Sequence, residues 1–262
     1  MKGGSLTDAT ADLKRRVAAT SAPKPPHKFL TACLYAYLLL AAVAFVVLAF
    51  FAHGAPYFPI DLTLTRDLQS FNPPWFDLVM RSVNWMGFGL QSIAIISVTV
   101  IVTFLLGWRW EAVVGALDAA GIWAFNIVVG VIVARPYVQT SPAFDGMLVD
   151  LTKPSFPSGH ATSYIAFYGF MCYLVYTRVT QAWLRLPLVI LFGALVVLVG
   201  PSRVYMGRHW PSDTLASILL GSMWLVLTIY SYQWGKQSRF VRKHFTGEPS
   251  MGAAMKSNLG VK

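Results

Sequence analysis

Two of the chain's five histidines lie in short polar stretches between apolar segments. His160 ends the Pro-Ser-Gly-His stretch of residues 157–160, and His209 lies in residues 202–213 together with Arg203. An imidazole can attack an electrophile or deliver a proton, and the guanidinium fork of arginine matches the oxygens of a phosphate. These residue types together predict a site that cleaves a phosphate ester.

The spacing of His209 and Asp213 suggests a different role for each. They are four residues apart, so a helix that begins between them would place both on one face, roughly 6 Å apart along the axis. Asp213 could then hold one ring nitrogen of His209 and leave the other to attack, while His160 supplies the proton of the leaving group. The sequence has no cluster of His, Asp and Glu dense enough for a pair of metal ions, so we expect no metal and no cofactor.

Two prolines mark the expected starts of helices beside these histidines. Pro157 and Pro211 each stand just before an apolar segment, a position at which the missing N–H of proline costs nothing. The first turn of a helix offers N–H groups and a partial positive charge, which suit an anion. With Arg135 and Arg203 nearby, two such helix starts predict a binding site for a phosphate dianion.

The composition predicts a protein that crosses a membrane several times. Of the 262 residues, 56% are hydrophobic and 12% are charged, about half the charged fraction of a soluble domain. Six apolar stretches can cross roughly 30 Å of hydrocarbon, the fifth only if it continues into residues 201–203. They lie near residues 29–51, 90–106, 112–134, 161–176, 188–200 and 214–232. We therefore predict an all-α polytopic membrane protein, a six-transmembrane-helix bundle.

The distribution of lysine and arginine predicts the orientation of this bundle. With six spans both termini lie on one side, and the two tails and two loops of that side carry 15 of the 21 basic residues. Because basic residues concentrate on the cytoplasmic side, we expect both termini in the cytoplasm and the histidines at the outer face of the cell membrane. Basic tails beside an anionic inner leaflet explain the net charge of +10 without a nucleic-acid partner.

The chain divides into a membrane domain with a polar tail at each end. We predict a disordered cytoplasmic tail over residues 1–28, a six-helix domain over residues 29–234 and a basic cytoplasmic tail over residues 235–262. Residues 54–88 mix apolar and charged side chains at near-helical spacing, which predicts short external amphipathic helices. Asp118 and Asn126 lie within the third span, where we expect them to form hydrogen bonds between helices.

Three motifs resemble those of the type 2 phosphatidic acid phosphatase superfamily, the lipid phosphate phosphatases. The third motif (Ser-Arg, five residues, His, three residues, Asp) matches residues 202–213 at every fixed position, and the second (Pro-Ser-Gly-His) matches residues 157–160. The first motif (Lys, six residues, Arg-Pro) matches at Arg135 and Pro136, but Val128 stands at the lysine position. The resemblance covers roughly residues 61–234.

The resemblance implies a six-helix bundle with its site at the outer end and a role for each matching residue. His209 would be the nucleophile that forms a phosphohistidine, Asp213 would orient it, and His160 would protonate the leaving group. The phosphoryl oxygens would be held by Arg135, Ser158, the Gly159 N–H and Arg203. The valine at position 128 leaves one phosphate contact open, for which Lys153 is a candidate.

Sequence and resemblance together predict an integral-membrane hydrolase of lipid phosphates that acts at the outer leaflet. The expected substrate is a phosphomonoester or diphosphate, and polyprenyl diphosphate, phosphatidate and phosphatidylglycerol phosphate stay open. A lipid phosphotransferase with the same phosphohistidine intermediate is one alternative. A non-catalytic lipid-binding membrane protein is the other, although binding alone does not need a nucleophile.

Overall fold

The structure is a computed structural model that describes residues 28–87, 89–141, 144–241 and 244–245. The chain forms two compact units, residues 1–40 and residues 41–262. In the first unit, residues 28–40 are helical, and the remainder of the predicted N-terminal tail lies outside the described residues. Residues 246–262 of the predicted C-terminal tail and the side chains of residues 138–153 also lie outside them. All contacts below belong to the second unit.

The described chain is built almost entirely from helices, which confirms the predicted all-α class. In chain order the helices are α1 (Lys28–Gly54), α2 (Pro59–Ser70), α3 (Pro74–Met86), α4 (Gly89–Leu105), α5 (Arg109–Val133), α6 (Gly159–Ser163), α7 (Gly169–Arg178), α8 (Ala182–Tyr205), α9 (Pro211–Gln237) and α10 (Arg239–Val241). A π-helical turn over Tyr164–Tyr168 joins α6 to α7 without a break.

Within the described residues, four helices are long and apolar enough to cross a membrane, namely α1, α5, α8 and α9. The number rises to five if α3 and α4 form one broken span. By itself α4 has 17 residues, about 26 Å at 1.5 Å per residue. The fourth predicted span corresponds to α6, the π turn and α7. A polytopic membrane protein is therefore confirmed, whereas the count of six spans stays a prediction.

Helix α8 contains the whole of the predicted fifth span, residues 188–200. It contains both Pro187 and Pro201 and continues through Ser202 and Arg203 to Tyr205. The helix therefore includes residues 201–203, as the fifth span requires if it is to cross the membrane. Ser202 donates a hydrogen bond to the carbonyl of Met80 in α3. This bond gives the Ser202 hydroxyl a partner near the end of an apolar helix, and it holds α8 against α3.

The two predicted amphipathic segments of residues 54–88 are helices, α2 and α3. Each begins with proline in its first turn, at Pro59 and Pro74, where the absent N–H leaves no bond unmade. Each also carries an acid in that turn, Asp61 and Asp77, which complements the helix dipole. Their position on a membrane surface stays a prediction.

An antiparallel hairpin that the sequence analysis did not predict lies between α5 and α6. Its strands are β1 (Pro136–Ser141) and β2 (Phe144–Pro154), and Pro136 pairs with Pro154. The N–H of Ser155 then donates to the carbonyl of Arg135 at 2.8 Å. The hairpin therefore closes the chain on itself and brings the end of α5 next to the start of α6.

At the other end of α5, polar groups tie the helices together. Glu111 is buried and pairs with Arg178 at 3.0 Å, and it accepts a hydrogen bond from Tyr232 at 2.8 Å. Asp118 accepts hydrogen bonds from Trp224 and Thr228 in α9, at 3.0 and 2.6 Å. The geometry agrees with the expected interhelical role of Asp118.

The contact of α9 with the π turn sets a limit on side-chain size at Gly221. A Cβ atom there would lie 2.9 Å from Ile165 Cβ and 3.1 Å from the Thr162 carbonyl oxygen. We expect Gly221→Ala to destabilise the protein by about 1–3 kcal/mol, because neither neighbour can move without shifting a helix. Thermal unfolding in neutral detergent measures the loss.

The matched control for this prediction is Gly193→Ala in α8, where a Cβ would meet no atom within 4 Å. This variant should unfold at the wild-type temperature or above it, since alanine favours helix more than glycine. Equal unfolding temperatures for the two variants would contradict close packing at Gly221.

Candidate active site

The site forms where the first turns of α6 and α9 lie side by side. Ser158 is the N-cap of α6, and its hydroxyl accepts the Ala161 N–H at 3.5 Å. The hydroxyl of Ser217 lies 3.1 Å from the Ser158 carbonyl oxygen and 2.8 Å from that of Asp213. Two helix starts that hold the second and third motifs are thus joined, as the sequence predicted. Pro211 is the first residue of α9, whereas Pro157 precedes the N-cap of α6.

His209 lies in the loop between α8 and α9, with 8% of its surface exposed. Its Nδ1 is 2.9 Å from the carbonyl oxygen of Ser155. Because a carbonyl can only accept, Nδ1 carries the hydrogen in the neutral ring, and the lone pair is at Nε2. Asp213 Oδ2 is 3.7 Å from Nδ1, so Asp213 acts on the ring mainly through its charge.

Two neighbours complete the surroundings of the His209 ring. The ring of Tyr137, the second residue of β1, meets it edge-on with centroids 5.7 Å apart. Burial is the main cause that lowers the pKa of His209, and Arg203 adds to it, while Asp213 and the Ser155 carbonyl oppose them. A lowered pKa keeps the imidazole neutral, which is the form that can attack.

Asp213 is fully buried at the third position of α9. Its Oδ2 accepts the backbone N–H of Trp210 at 3.1 Å, which caps the helix. Its Oδ1 is bound by Arg135 NH1. The same carboxylate therefore caps α9, pairs with an arginine and faces His209.

Arg135 has partners that the sequence analysis did not foresee. The side chain has no exposed surface, and its donors go to the Ala55 carbonyl, the Ser212 hydroxyl, Asp213 and Asp61. The ring of Phe58 covers it at 4.9 Å. A guanidinium enclosed in this way presents no open face, so the geometry does not favour the direct phosphate contact expected of it.

Asp61 is a residue of the site that the sequence analysis missed. It is 1% exposed in the first turn of α2, 3.1 Å from Arg135 NH2. It also accepts hydrogen bonds from the N–H of Phe58 and from both the N–H and the hydroxyl of Ser212. The Pro59-Ile60-Asp61 start signals a capping carboxylate, but no local signal places it against α9.

Arg203 is 4% exposed near the end of α8. Its NH1 donates to Asn84 Oδ1 in α3, a second partner that the sequence analysis missed. Its Nε is buried and has no hydrogen-bond partner among the described residues. Of the two predicted phosphate-binding arginines, Arg203 therefore keeps donor capacity for an anion.

His160 is the second residue of α6 and is partly buried. Gly87, after α3, lies directly against the ring, since a Cβ at Gly87 would be 2.5 Å from His160 Cδ2. The corner between α3 and α4 thus forms one wall of the His160 position.

Three residues that the sequence singled out beside the motifs, Val128, Lys153 and Asn126, have different surroundings. Val128, at the family's lysine position, is 53% exposed, and the side chain of Lys153 lies outside the described residues. Asn126 of α5 lies close to the start of α6, because a Cβ on Gly159 would be 3.2 Å from its Nδ2. Gly159 therefore permits α6 to begin in contact with α5.

Comparisons with known proteins agree with these motifs. The sequence model described as the PAP2 superfamily matches residues 131–237, which include all three motifs from Arg135 onward. Phosphatidylglycerophosphatase B of Bacillus subtilis (strain 168) is 25% identical over 178 residues, 68% of this chain and 85% of that protein. Lipid A 1-phosphatase of Rhizobium etli is 35% identical over 78 residues, 30% of this chain and 29% of that protein.

A solved structure shares the fold. The crystal structure of a transmembrane PAP2 type phosphatidylglycerolphosphate phosphatase from Bacillus subtilis has a TM-score of 0.62 and 24% sequence identity to this chain, covering 78% of this chain and 98% of its own. Residues 131–237 therefore resemble the PAP2 superfamily, and the solved structure shows a shared fold.

Proposed function

We propose that this protein is an integral-membrane phosphatase that hydrolyses a lipid phosphate through a phosphohistidine at His209. The observation that carries the proposal is the hydrogen bond from His209 Nδ1 to the Ser155 carbonyl, because it leaves the Nε2 lone pair to attack phosphorus. The match of residues 131–237 to the PAP2 superfamily model and the relatives named as lipid phosphatases support the reaction class.

Arg203 and the start of α6 are the proposed phosphate ligands. The buried, unpartnered Nε of Arg203 supports this role, since a buried donor needs an acceptor. Ser158 and the Gly159 N–H would add the positive end of the α6 dipole. Arg135 is assigned to a different task, which is to hold the ionised Asp213 beside His209.

In the proposed reaction, His209 Nε2 forms a bond to phosphorus as the bond from phosphorus to the leaving oxygen breaks. His160 gives a proton to that oxygen. This proton arrives with the substrate, whose negative charge favours the imidazolium. Water then attacks phosphorus, the P–N bond breaks, and neutral His160 accepts the proton of the water.

The proposed place for the lipid chain is a groove whose lining includes Val204, the residue after Arg203. It has a volume of about 550 Å³ and lies among α2, α3, α8 and α9. Its apolar lining includes Leu64, Leu68, Phe71, Phe76 and Val204.

The proposals for the substrate and for the orientation rest on the sequence and the relatives rather than on the geometry. Polyprenyl diphosphate, phosphatidate and phosphatidylglycerol phosphate are the proposed substrates, and the relatives named Phosphatidylglycerophosphatase B and Lipid A 1-phosphatase support a phosphorylated lipid. The charge distribution supports cytoplasmic termini and an outward-facing site in the cell membrane.

The main prediction concerns His209. Purified wild-type protein should release phosphate from at least one lipid of this panel, with equal rates with and without EDTA, and His209→Ala should lower kcat by about 10⁴-fold or more because the nucleophile is lost. Malachite-green detection of phosphate and acid-quenched trapping of the phosphoenzyme are the measurements. His244→Ala, at an exposed histidine, is the control and should retain wild-type activity.

Three results would argue against this function. Inhibition by EDTA would mean that a metal takes part, and a phosphoenzyme in the His209→Ala variant would identify another nucleophile. Transfer of labelled phosphate to a second lipid rather than to water would favour the phosphotransferase alternative.

A second prediction concerns Gly87, which leaves room for the His160 ring. In Gly87→Ala the added methyl group must displace the ring, since the ring is the mobile side of that contact. We expect kcat to fall about 10-fold or more for an alkyl phosphate. For p-nitrophenyl phosphate, whose leaving group needs little protonation, kcat should fall far less.

The ratio of the two rates is the measurement, and Gly54→Ala is the control because a Cβ there meets no atom within 4 Å. Equal losses of kcat on both substrates would indicate a general structural effect. They would contradict the idea that Gly87 leaves room for His160 to act as the acid.

A further inference from the structure

Three buried charges form a continuous row behind His209. Asp61, Arg135 and Asp213 are 1%, 0% and 0% exposed. Arg135 binds Asp61 through NH2 at 3.1 Å and Asp213 through NH1. The row holds two carboxylates and one guanidinium, so its formal charge is one negative, and its Asp213 end faces His209 at 3.7 Å.

The surroundings of Asp61 suit an ionised carboxylate. Its two oxygens receive hydrogen bonds from the Phe58 N–H, the Ser212 N–H, the Ser212 hydroxyl and Arg135. A buried carboxylate is costly unless donors of this kind surround it. The fold therefore maintains a second negative charge where Arg135 and Asp213 alone would form a neutral pair.

This surplus charge matters for the chemistry proposed at His209. The ring starts neutral with a hydrogen on Nδ1, and it becomes positively charged when Nε2 bonds to phosphorus. A neutral Arg135–Asp213 pair would do little for that charge, whereas a net negative row in a buried site stabilises it. Such stabilisation is present only as the bond forms, so it lowers the barrier rather than the substrate affinity.

We propose that Asp61 is a positioning residue that keeps the row of Asp61, Arg135 and Asp213 negatively charged, so that the His209 ring can carry a positive charge in the phosphoenzyme. This role rests on the proposed function. It also explains why Arg135 is enclosed, since the guanidinium links the two carboxylates instead of contacting phosphate. A purely structural Asp61 would instead only fasten α2 to the start of α9.

Other charged and titratable groups around His209 act alongside the row. Arg203 of α8 disfavours a positive ring, and His160 of α6 and Tyr137 of β1 lie nearby. None of them is altered when Asp61 is changed. Their influence is therefore constant in the comparison below.

The test compares Asp61→Asn with Ser212→Ala in the full-length protein. Asparagine keeps the shape and an acceptor for the Ser212 N–H, removes the charge, and places an amide nitrogen where an oxygen accepts from Phe58 and Arg135. Ser212→Ala removes the hydroxyl contacts to both Asp61 and Arg135 and leaves every charge in place. We expect Asp61→Asn to lower kcat by about 10-fold to 100-fold with KM nearly unchanged, and Ser212→Ala to lower kcat much less.

A second measurement does not depend on activity. In ¹⁵N-histidine NMR of the protein in detergent, with His209 assigned by comparison with His209→Ala, the titration midpoint of His209 should fall by about half a unit in Asp61→Asn. The sign follows because a lost negative charge destabilises the protonated ring. Ser212→Ala should keep the wild-type midpoint.

Equal midpoints in Asp61→Asn and wild type would overturn the inference, as would equal losses of kcat in the two variants. A wild-type protein inactive on every lipid phosphate would refute the proposed function. In that case the NMR midpoints still decide whether Asp61 contributes its charge to His209.

Discussion

The arrangement of the histidines depends on the bonds that the buried guanidinium of Arg135 makes to three segments of the chain. A charge removed from water must be paired and hydrogen-bonded, or the fold loses several kcal/mol. Arg135 meets this demand by binding Asp61 at the start of α2, Asp213 at the start of α9 and the Ala55 carbonyl after α1. Because its planar fork accepts few geometries, these three segments can meet in few ways.

The motif residues are held in place largely by residues outside the motifs. His209 is oriented by the carbonyl of Ser155, which the hairpin delivers through the bond between Ser155 and Arg135. Arg203 is held by Asn84, and Ser217 joins the two helix starts. This arrangement has a physical reason. A side chain that reacts must leave one atom without a protein partner, so other groups must fix the rest of that side chain.

Polar contacts occur in two layers of an otherwise apolar bundle. One layer is the site, and the other includes Glu111 with Arg178 and Tyr232, and Asp118 with Trp224 and Thr228. Between apolar helices in lipid there is little hydrophobic force to choose one packing over another. Hydrogen bonds at two levels along α5 and α9 select both the register and the rotation of these helices, and so keep the two helix starts together.

The sequence by itself determined the all-α membrane class of the protein, and it supplied the residues that are proposed to react. Continuous apolar runs and few charges identify membrane helices, because hydrocarbon leaves the backbone few other ways to satisfy its hydrogen bonds. Pro211 and the four-residue spacing of His209 and Asp213 predicted a helix start that the structure confirms. These signals are local, so they can be read from neighbouring residues.

Only the tertiary structure decided what each charged residue binds. The bond from Arg135 to Asp61 joins residues 74 apart, that from Ser212 to Asp61 joins residues 151 apart, and that from Arg203 to Asn84 joins residues 119 apart. The hairpin was missed because its strands are defined by each other rather than by an apolar period. An arginine next to a phosphate motif looks the same in sequence whether it faces a ligand or a buried carboxylate, and only the packing of α2 against α9 determines which partner it meets.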